Sequence, residues 1–325
     1  MVISCFLKKW IAKIKRHCIP VMLTAALGCS LLIIAPLFWF QPNSGTLSDF
    51  VRSQAFKIPE IPKNLSGITY SPESETLFLV SNTPTRIYEI TPKGRLIRQI
   101  DLIDFHDTED IVFIEKQSFA VIEERRKTII IFEISPTTKA VQYANSQHIQ
   151  ALPPRRVNKG LEGLAWDPVL RNFLIANESN PRAIYTIPYN NRGNIGRFRH
   201  EVTSLHNLPW IKLGDYAGIY FESPLKQLLI LSRTSGKIED YTLSGQKKGS
   251  LNLFRFIPGI SKAEGLTVGP GGDLYVCSEP NDVVVFSRNQ RLRGASAPLT
   301  GPVDLAYTMI RRHNEEPLLF GDHSI

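Results

Sequence analysis

One pattern returns five times along this chain and narrows its possible folds more than any other feature. Leu65-Ser66-Gly67-Ile68-Thr69-Tyr70 is followed by Leu77-Phe78-Leu79-Val80-Ser81-Asn82. Leu161-Glu162-Gly163-Leu164-Ala165-Trp166 is followed by Phe173-Leu174-Ile175-Ala176-Asn177-Glu178. Tyr216-Ala217-Gly218-Ile219 precedes Leu229-Ile230-Leu231-Ser232-Arg233, and Ala263-Glu264-Gly265-Leu266 precedes Tyr275-Val276-Cys277-Ser278-Glu279. A diverged copy, Thr108-Glu109-Asp110-Ile111, precedes Ala120-Val121-Ile122-Glu123-Glu124. A third apolar run follows each pair, at 87–90, 129–134, 184–187, 238–243 and 283–286, and a weaker fourth often follows, as at 96–102.

The runs are short and rich in Val, Ile, Phe and Tyr, and turn residues such as Thr91-Pro92-Lys93-Gly94 and Gly269-Pro270-Gly271-Gly272 bound them. That is strand and hairpin chemistry. Several runs are continuously apolar, which a strand permits only when both its faces are buried. The repeats start at Ser66, Glu109, Glu162, Ala217 and Glu264, 43 to 55 residues apart. A four-stranded propeller blade takes roughly 40–50 residues, and radial closure removes most of the exposed sheet edges an open array would leave. The expected fold is therefore all-β: a β-propeller of about five four-stranded blades. Room for a sixth exists at 135–160 and 188–216. Residues 56–61 are expected to supply the outer strand of the last blade and so close the ring. A solenoid or an irregular sandwich is the competing architecture.

In a propeller the first strand of each blade lines the channel and the second runs antiparallel to it. The residue entering strand one and the residue leaving strand two therefore share one mouth. The entering residues are Ser66, Glu109, Glu162, Ala217 and Glu264; the leaving residues are Asn82, Glu124, Glu178, Arg233 and Glu279. Three blades of five pair two glutamates there. Such a ring needs a divalent cation, basic neighbours or raised pKa values to relieve its repulsion. Calcium accepts six to eight oxygens in loose geometry, so Glu109, Glu124, Glu162, Glu178, Glu264, Glu279 and Asn82 are candidate metal ligands. Arg125, Lys159, Arg182, Arg233 and Lys262 are nearby in sequence and are the candidate contacts for a small anionic ligand. The plainer reading is that the glutamates cap strand ends and pair with those bases. The acidic run Asp101, Asp104, Asp107, Glu109, Asp110 lacks EF-hand spacing and is expected, apart from Glu109, to be a solvated interblade loop. No nucleophile elbow, P-loop or zinc-protease motif occurs, and the seven histidines lack ligand spacing.

Residues 19–40 contain no charge. At about 1.5 Å per helical residue they match the roughly 30 Å of a hydrocarbon core. Lys8, Lys9, Lys13, Lys15 and Arg16 precede them, so the positive-inside rule keeps the N-terminus in the cytoplasm and the rest outside, in the periplasm of a Gram-negative cell. The length and the bulky end at Trp39-Phe40 favour an uncleaved single-pass anchor over a signal peptide; a lipid on Cys29 is the other alternative, though Leu27 fits that signal poorly. The expected organisation is a basic terminus (1–17), an anchor (18–41), a tether (42–53), the propeller (54–300) and a tail (301–325). Much of the net charge of +8 belongs to the terminus, and no basic helix or aromatic stripe suggests nucleic acid. Of the four cysteines only Cys277 falls in the propeller, so that domain has no internal disulfide, and Cys277 is expected to serve packing.

The blade starts, together with the anchor, resemble the YjiK or SdiA-regulated family of bacterial envelope proteins, a group that includes a calcium-regulated β-propeller protein. The likeness spans residues 56–288 and rests on Leu161-Glu162-Gly163-Leu164, Leu65-Ser66-Gly67-Ile68, Thr108-Glu109-Asp110-Ile111 and Ala263-Glu264-Gly265-Leu266. It implies an extracytoplasmic propeller, calcium as a bound ion and a phytase-like possibility. Ala217 and Arg233 depart from a symmetric acidic ring. Three functions follow as expectations: a calcium-linked binding propeller, a calcium-dependent phosphoesterase, or a scaffold for an envelope protein with a purely structural channel.

Overall fold

The computed structural model describes residues 46–152, 160–178, 182–189, 203–204, 211–255 and 262–289. The expected anchor, the basic terminus, Lys159 and the tail lie outside the described residues. Among the described residues no helix is long and apolar enough to cross a membrane.

The strands run in chain order. β1 (Phe50–Lys57) comes first. Blade one is β2 (Leu65–Ser71), β3 (Thr76–Asn82), β4 (Thr85–Ile90) and β5 (Leu96–Ile103). Blade two is β6 (Thr108–Glu115), β7 (Ser118–Glu123) and β8 (Thr128–Glu133); after β9 (Ala140–Gln142) it is completed by β10 (Gln147–Gln150). Blade three is β11 (Leu161–Asp167), β12 (Asn172–Asn177), β13 (Ala183–Pro188) and β14 (Thr203–Ser204). Blade four is β15 (Gly218–Glu222), β16 (Gln227–Ser232), β17 (Lys237–Thr242) and β18 (Lys247–Asn252). Blade five is β19 (Ala263–Val268), β20 (Leu274–Ser278), β21 (Asp282–Arg288) and, from the other end of the chain, β1. The fold is a five-bladed propeller, and the described part of 135–160 holds the outer strand of blade two instead of a sixth blade.

The core lies between blades. Each strand residue points alternately to one neighbour or the other, as the period of two requires. Leu77 and Leu79 pack with Tyr275, Cys277 and Val283 of blade five. Phe78 and Val80, alternating with them in sequence, pack with Phe119 and Val121 of blade two. Equivalent clusters join blades two and three, three and four, and four and five. Five junctions for five blades close the ring, and this is why the inner strands read as unbroken apolar runs. Cys277 is fully buried in the junction of blades five and one, and its role is packing.

Two details differ from expectation. The closing strand is Phe50–Lys57, paired from Phe50↔Arg288 to Lys57↔Asp282, not 56–61. β1 is largely exposed, so it carries little of the apolar signal that marks the other strands. The apolar Ile58 and Ile61 lie beyond it, in a turn that fills the junction of blades five and one. Consequently the segment read as tether already belongs to the propeller by Leu47, which is buried against blade four. Second, β9 adds in parallel to β5 as a fifth strand of blade one, although it comes from the blade-two connection. Arg98 reinforces this brace by donating to the carbonyls of Ser135 (2.8 Å), Pro136 (2.9 Å) and Thr138 (3.1 Å).

Candidate functional site

One local device builds the mouth in four of the five blades. In four blades the pairing of strands one and two slips across the entering residue, between Leu65 and Gly67, Thr108 and Asp110, Leu161 and Gly163, and Ala263 and Gly265. Ser66, Glu109, Glu162 and Glu264 are thus the extra residues of β-bulges, which bend a strand and re-aim its side chain. Blade four has no such slip at Ala217. The leaving residue then donates its N–H to the carbonyl two residues before the bulge: Asn82 to Asn64 (3.2 Å), Glu124 to Asp107 (3.0 Å), Glu178 to Gly160 (2.6 Å) and Glu279 to Lys262 (3.0 Å). This bond brings a third position to the mouth in four blades, namely Asn64, Asp107, Gly160 and Lys262; in blade four Asp215 is held there instead by the Ser232 hydroxyl (2.5 Å) and the Thr234 N–H (3.2 Å).

The charges divide the mouth into two unlike halves. Over blades three to five, Arg233 is the internal counter-ion. It donates to both oxygens of Glu264 (2.8 and 2.7 Å) and to Glu178 (3.1 Å), and its Nε lies 3.7 Å from Asp215. Burial alone would lower its pKa; Glu264 chiefly, with Glu162 and Glu178, raises it instead. Lys262 meets Glu279 at 2.6 Å, with both partners solvent-accessible.

Over blades one to three the balance is different. Carboxylate oxygens of Asp107, Glu109 and Glu124 all lie within 4.8 Å of one another. Asp107 Oδ2 and Glu124 Oε1 are buried and have no hydrogen-bond partner. The nearest cationic atoms, Arg125 Nε at 3.7 Å and Lys127 Nζ at 3.8 Å, are within ion-pair range but too far to donate. Glu109 accepts a 3.3 Å bond from Asn82, whose own oxygen accepts from Asn64 at 3.0 Å. Burial pushes the Glu109 carboxyl well above the usual range, and Glu162, Asp107 and Glu124 push it further. Burial and repulsion from Glu124 and Glu178 raise Glu162 to about 8, with Arg233 opposing. Glu264 is raised to about 7 by burial despite Arg233. Glu124 is raised by burial, with Lys127 opposing and Asp107 adding.

The expected glutamates therefore do share one mouth, but their compensation differs: Arg233 pairs with Glu264 and Glu178, whereas Glu109 and Glu124 lack a direct hydrogen bond from a cation, and burial raises Glu109, Glu124, Glu162 and Glu264 alike. The expected bases are mostly committed. Arg233 and Lys262 are bound to carboxylates, Arg182 donates to the Leu213 carbonyl, and Arg125 is 67% exposed beside Asp107. The acidic run is not a solvated loop throughout: Asp107 joins the carboxylate cluster and Asp110 is buried. Asp215 and Lys127 are further mouth residues that sequence reasoning missed. Asp215 is legible only by aligning the repeats two residues upstream of the bulge. Lys127 has no repeat counterpart; it fills space beside Gly160, where a Cβ would stand 2.8 Å from its Nζ.

The arrangement suits a hard cation. Its donors are oxygens only, the ligand type a hard cation takes, and two of them are buried without a hydrogen-bond partner. The family model named SdiA-regulated matches residues 43–287. The chain belongs to the SdiA-regulated family. Family membership thus covers every described strand but the last residue of β21. Among solved structures, a luciferin-regenerating enzyme is similar at 14% identity and a TM-score of 0.47, over 71% of this chain and 94% of that one. A chain of a nidogen/laminin complex is similar at 14% identity and 0.46, over 66% and 72%. Virginiamycin B lyase from Staphylococcus aureus is similar at 15% identity and 0.39, over 69% and 67%.

Proposed function

We propose that this SdiA-regulated family member is a membrane-anchored, extracytoplasmic propeller that binds a divalent cation, calcium by its chemistry, at the acidic half of its channel mouth. The observation that carries the reading is the group Asp107, Glu109 and Glu124, with two buried carboxylate oxygens that no donor satisfies. Buried unsatisfied acceptors cost about 1–3 kcal/mol each, more when charged, and a hard cation would remove that cost for Asp107 and Glu124 while relieving their repulsion of Glu109. Asp107, Glu109 and Glu124 would hold the ion and Glu162 would face it. The protein's own part is to keep these oxygens converged and partly dry. The uncharged stretch at 19–40 and its basic flank support the anchor and its orientation.

The hydrolytic alternative draws less support, because Arg233 and Lys262 serve as counter-ions to carboxylates. Phosphate binding would have to break those pairs.

Calorimetric titration of the full-length protein with calcium chloride tests the reading. Binding is expected with loss of at least tenfold in affinity for Glu109→Gln and Asp107→Asn. Absence of heat at millimolar calcium would sink the cation site and leave a structural channel. The anchor is tested on membranes washed with alkaline carbonate: the protein is expected to stay in the pellet, and its release would refute a spanning helix.

A further inference from the structure

Directly below the bulges the five inner strands approach one another around the axis. A Cβ at Gly163 would stand 3.0 Å from the Gly218 Cα, one at Gly218 3.2 Å from the Gly265 Cα, and one at Gly265 2.9 Å from the Gly67 Cα. In four blades this position is glycine because the neighbouring backbone already occupies the space. In blade two it is Asp110.

Its side chain bonds to the backbones of two blades and packs against a third. Oδ1 accepts the N–H of Ile111 at 2.8 Å on its own strand, β6. Oδ2 accepts the N–H of Leu164 at 2.8 Å from β11 in blade three. Toward blade one it fills the space beside Gly67 of β2, where an added Cβ would collide with its Oδ1. Asp110 is 2% exposed. A carboxylate that accepts backbone N–H groups from two strands is a strong acceptor and a rigid joint.

We infer that Asp110 is an axial plug: it fills the ring that glycines line elsewhere, pins the inner strands of blades two and three together, packs against that of blade one, and makes the mouth a cup closed from below. It is also a positioning residue. Glu109 immediately precedes it, and Glu162 lies two residues before Leu164, so the bond from Leu164 to Asp110 sets the spacing of the two strands that carry those carboxylates. This positioning role rests on the cation reading; the plug does not.

Two measurements separate these parts. Native-state amide hydrogen exchange on the full-length protein is expected to place Leu164 and Ile111 among the slowest amides, opening only with global unfolding. Rapid exchange at Leu164 in the wild type overturns the plug. Asp110→Gly restores the residue that the other blades carry; its Leu164 amide is expected to exchange at least tenfold faster. Asp110→Asn, which keeps one carbonyl acceptor, is expected to recover part of that protection. Titration with calcium chloride tests positioning. Asp110→Gly is expected to bind at least tenfold more weakly, whereas Val284→Ala, a packing loss in blade five, keeps wild-type affinity. Equal affinities for wild type and Asp110→Gly overturn the positioning role. If the wild type binds no calcium, the cation reading and its positioning clause fall, and the exchange data still decide the plug.

Discussion

At the scale of single residues, Arg233 is the side chain on which the mouth most depends. It satisfies Glu264 in bidentate fashion, reaches Glu178 and faces Asp215, which is 3% exposed. Removing one partner of a buried ion pair leaves an uncompensated charge, typically at a cost of ~3–5 kcal/mol. A Coulombic interaction is screened where water reaches it, and the Arg233 side chain is 28% exposed. Arg233→Gln is therefore expected to destabilise the protein by about 2–3 kcal/mol, measured by urea unfolding. An effect below a few tenths would show that the carboxylates need no internal counter-ion. The position of Arg233 was legible in the repeat as the one basic residue among the leaving positions. Its partners were not all legible. Asp215 lies outside the apolar core of the motif, and nothing local marks an aspartate two residues before an alanine as a mouth residue. Asp110 was misread for a related reason: an acidic run looks solvated until a neighbouring blade supplies an N–H group that makes burial tolerable.

At the scale of elements, closure depends on β1. It pairs with β21 along its whole length apart from one register slip between Arg52 and Gln54. Without it, β21 becomes an edge and the turn bearing the buried Ile58 and Ile61 loses its anchorage. A chain lacking residues 46–57 is expected to lose cooperative thermal unfolding and to associate through the freed edge, as read by calorimetry and light scattering. A sharp transition and a monomer would show that closure is dispensable. The inner strands were readable from sequence because both their faces are apolar. β1 was placed several residues too late because its outward face is polar. The β9 brace was unreadable, since a three-residue strand has almost no pattern of its own and is held by pairing with β5, about 40 residues earlier in the chain.

At the scale of the whole molecule, the raised carboxyls of the mouth couple stability to protons. In the folded protein Glu162 titrates at about 8 and Glu264 at about 7, against an ordinary glutamate pKa near ~4.3. The folded state thus keeps protons that the unfolded chain has released. The stability this confers is complete at pH values below the ordinary range and is lost as pH rises through 7 and 8. In the presence of a chelator the melting temperature is expected to fall between about pH 5.5 and 8.5, a window that brackets both folded values. Millimolar calcium is expected to lessen the fall by replacing protons with a cation. A melting temperature independent of pH in chelator would contradict the raised carboxyls. The sequence by itself determined a propeller of about five blades, its direction and the gathering of acidic residues at one mouth, because strand period and repeat length are local properties of the chain; the structure decided that the number is five. Only the tertiary structure decided which carboxylates are paired, which retain protons and which residue plugs the axis. Those outcomes depend on distances and burial between blades about 50 residues apart, and no local pattern encodes them.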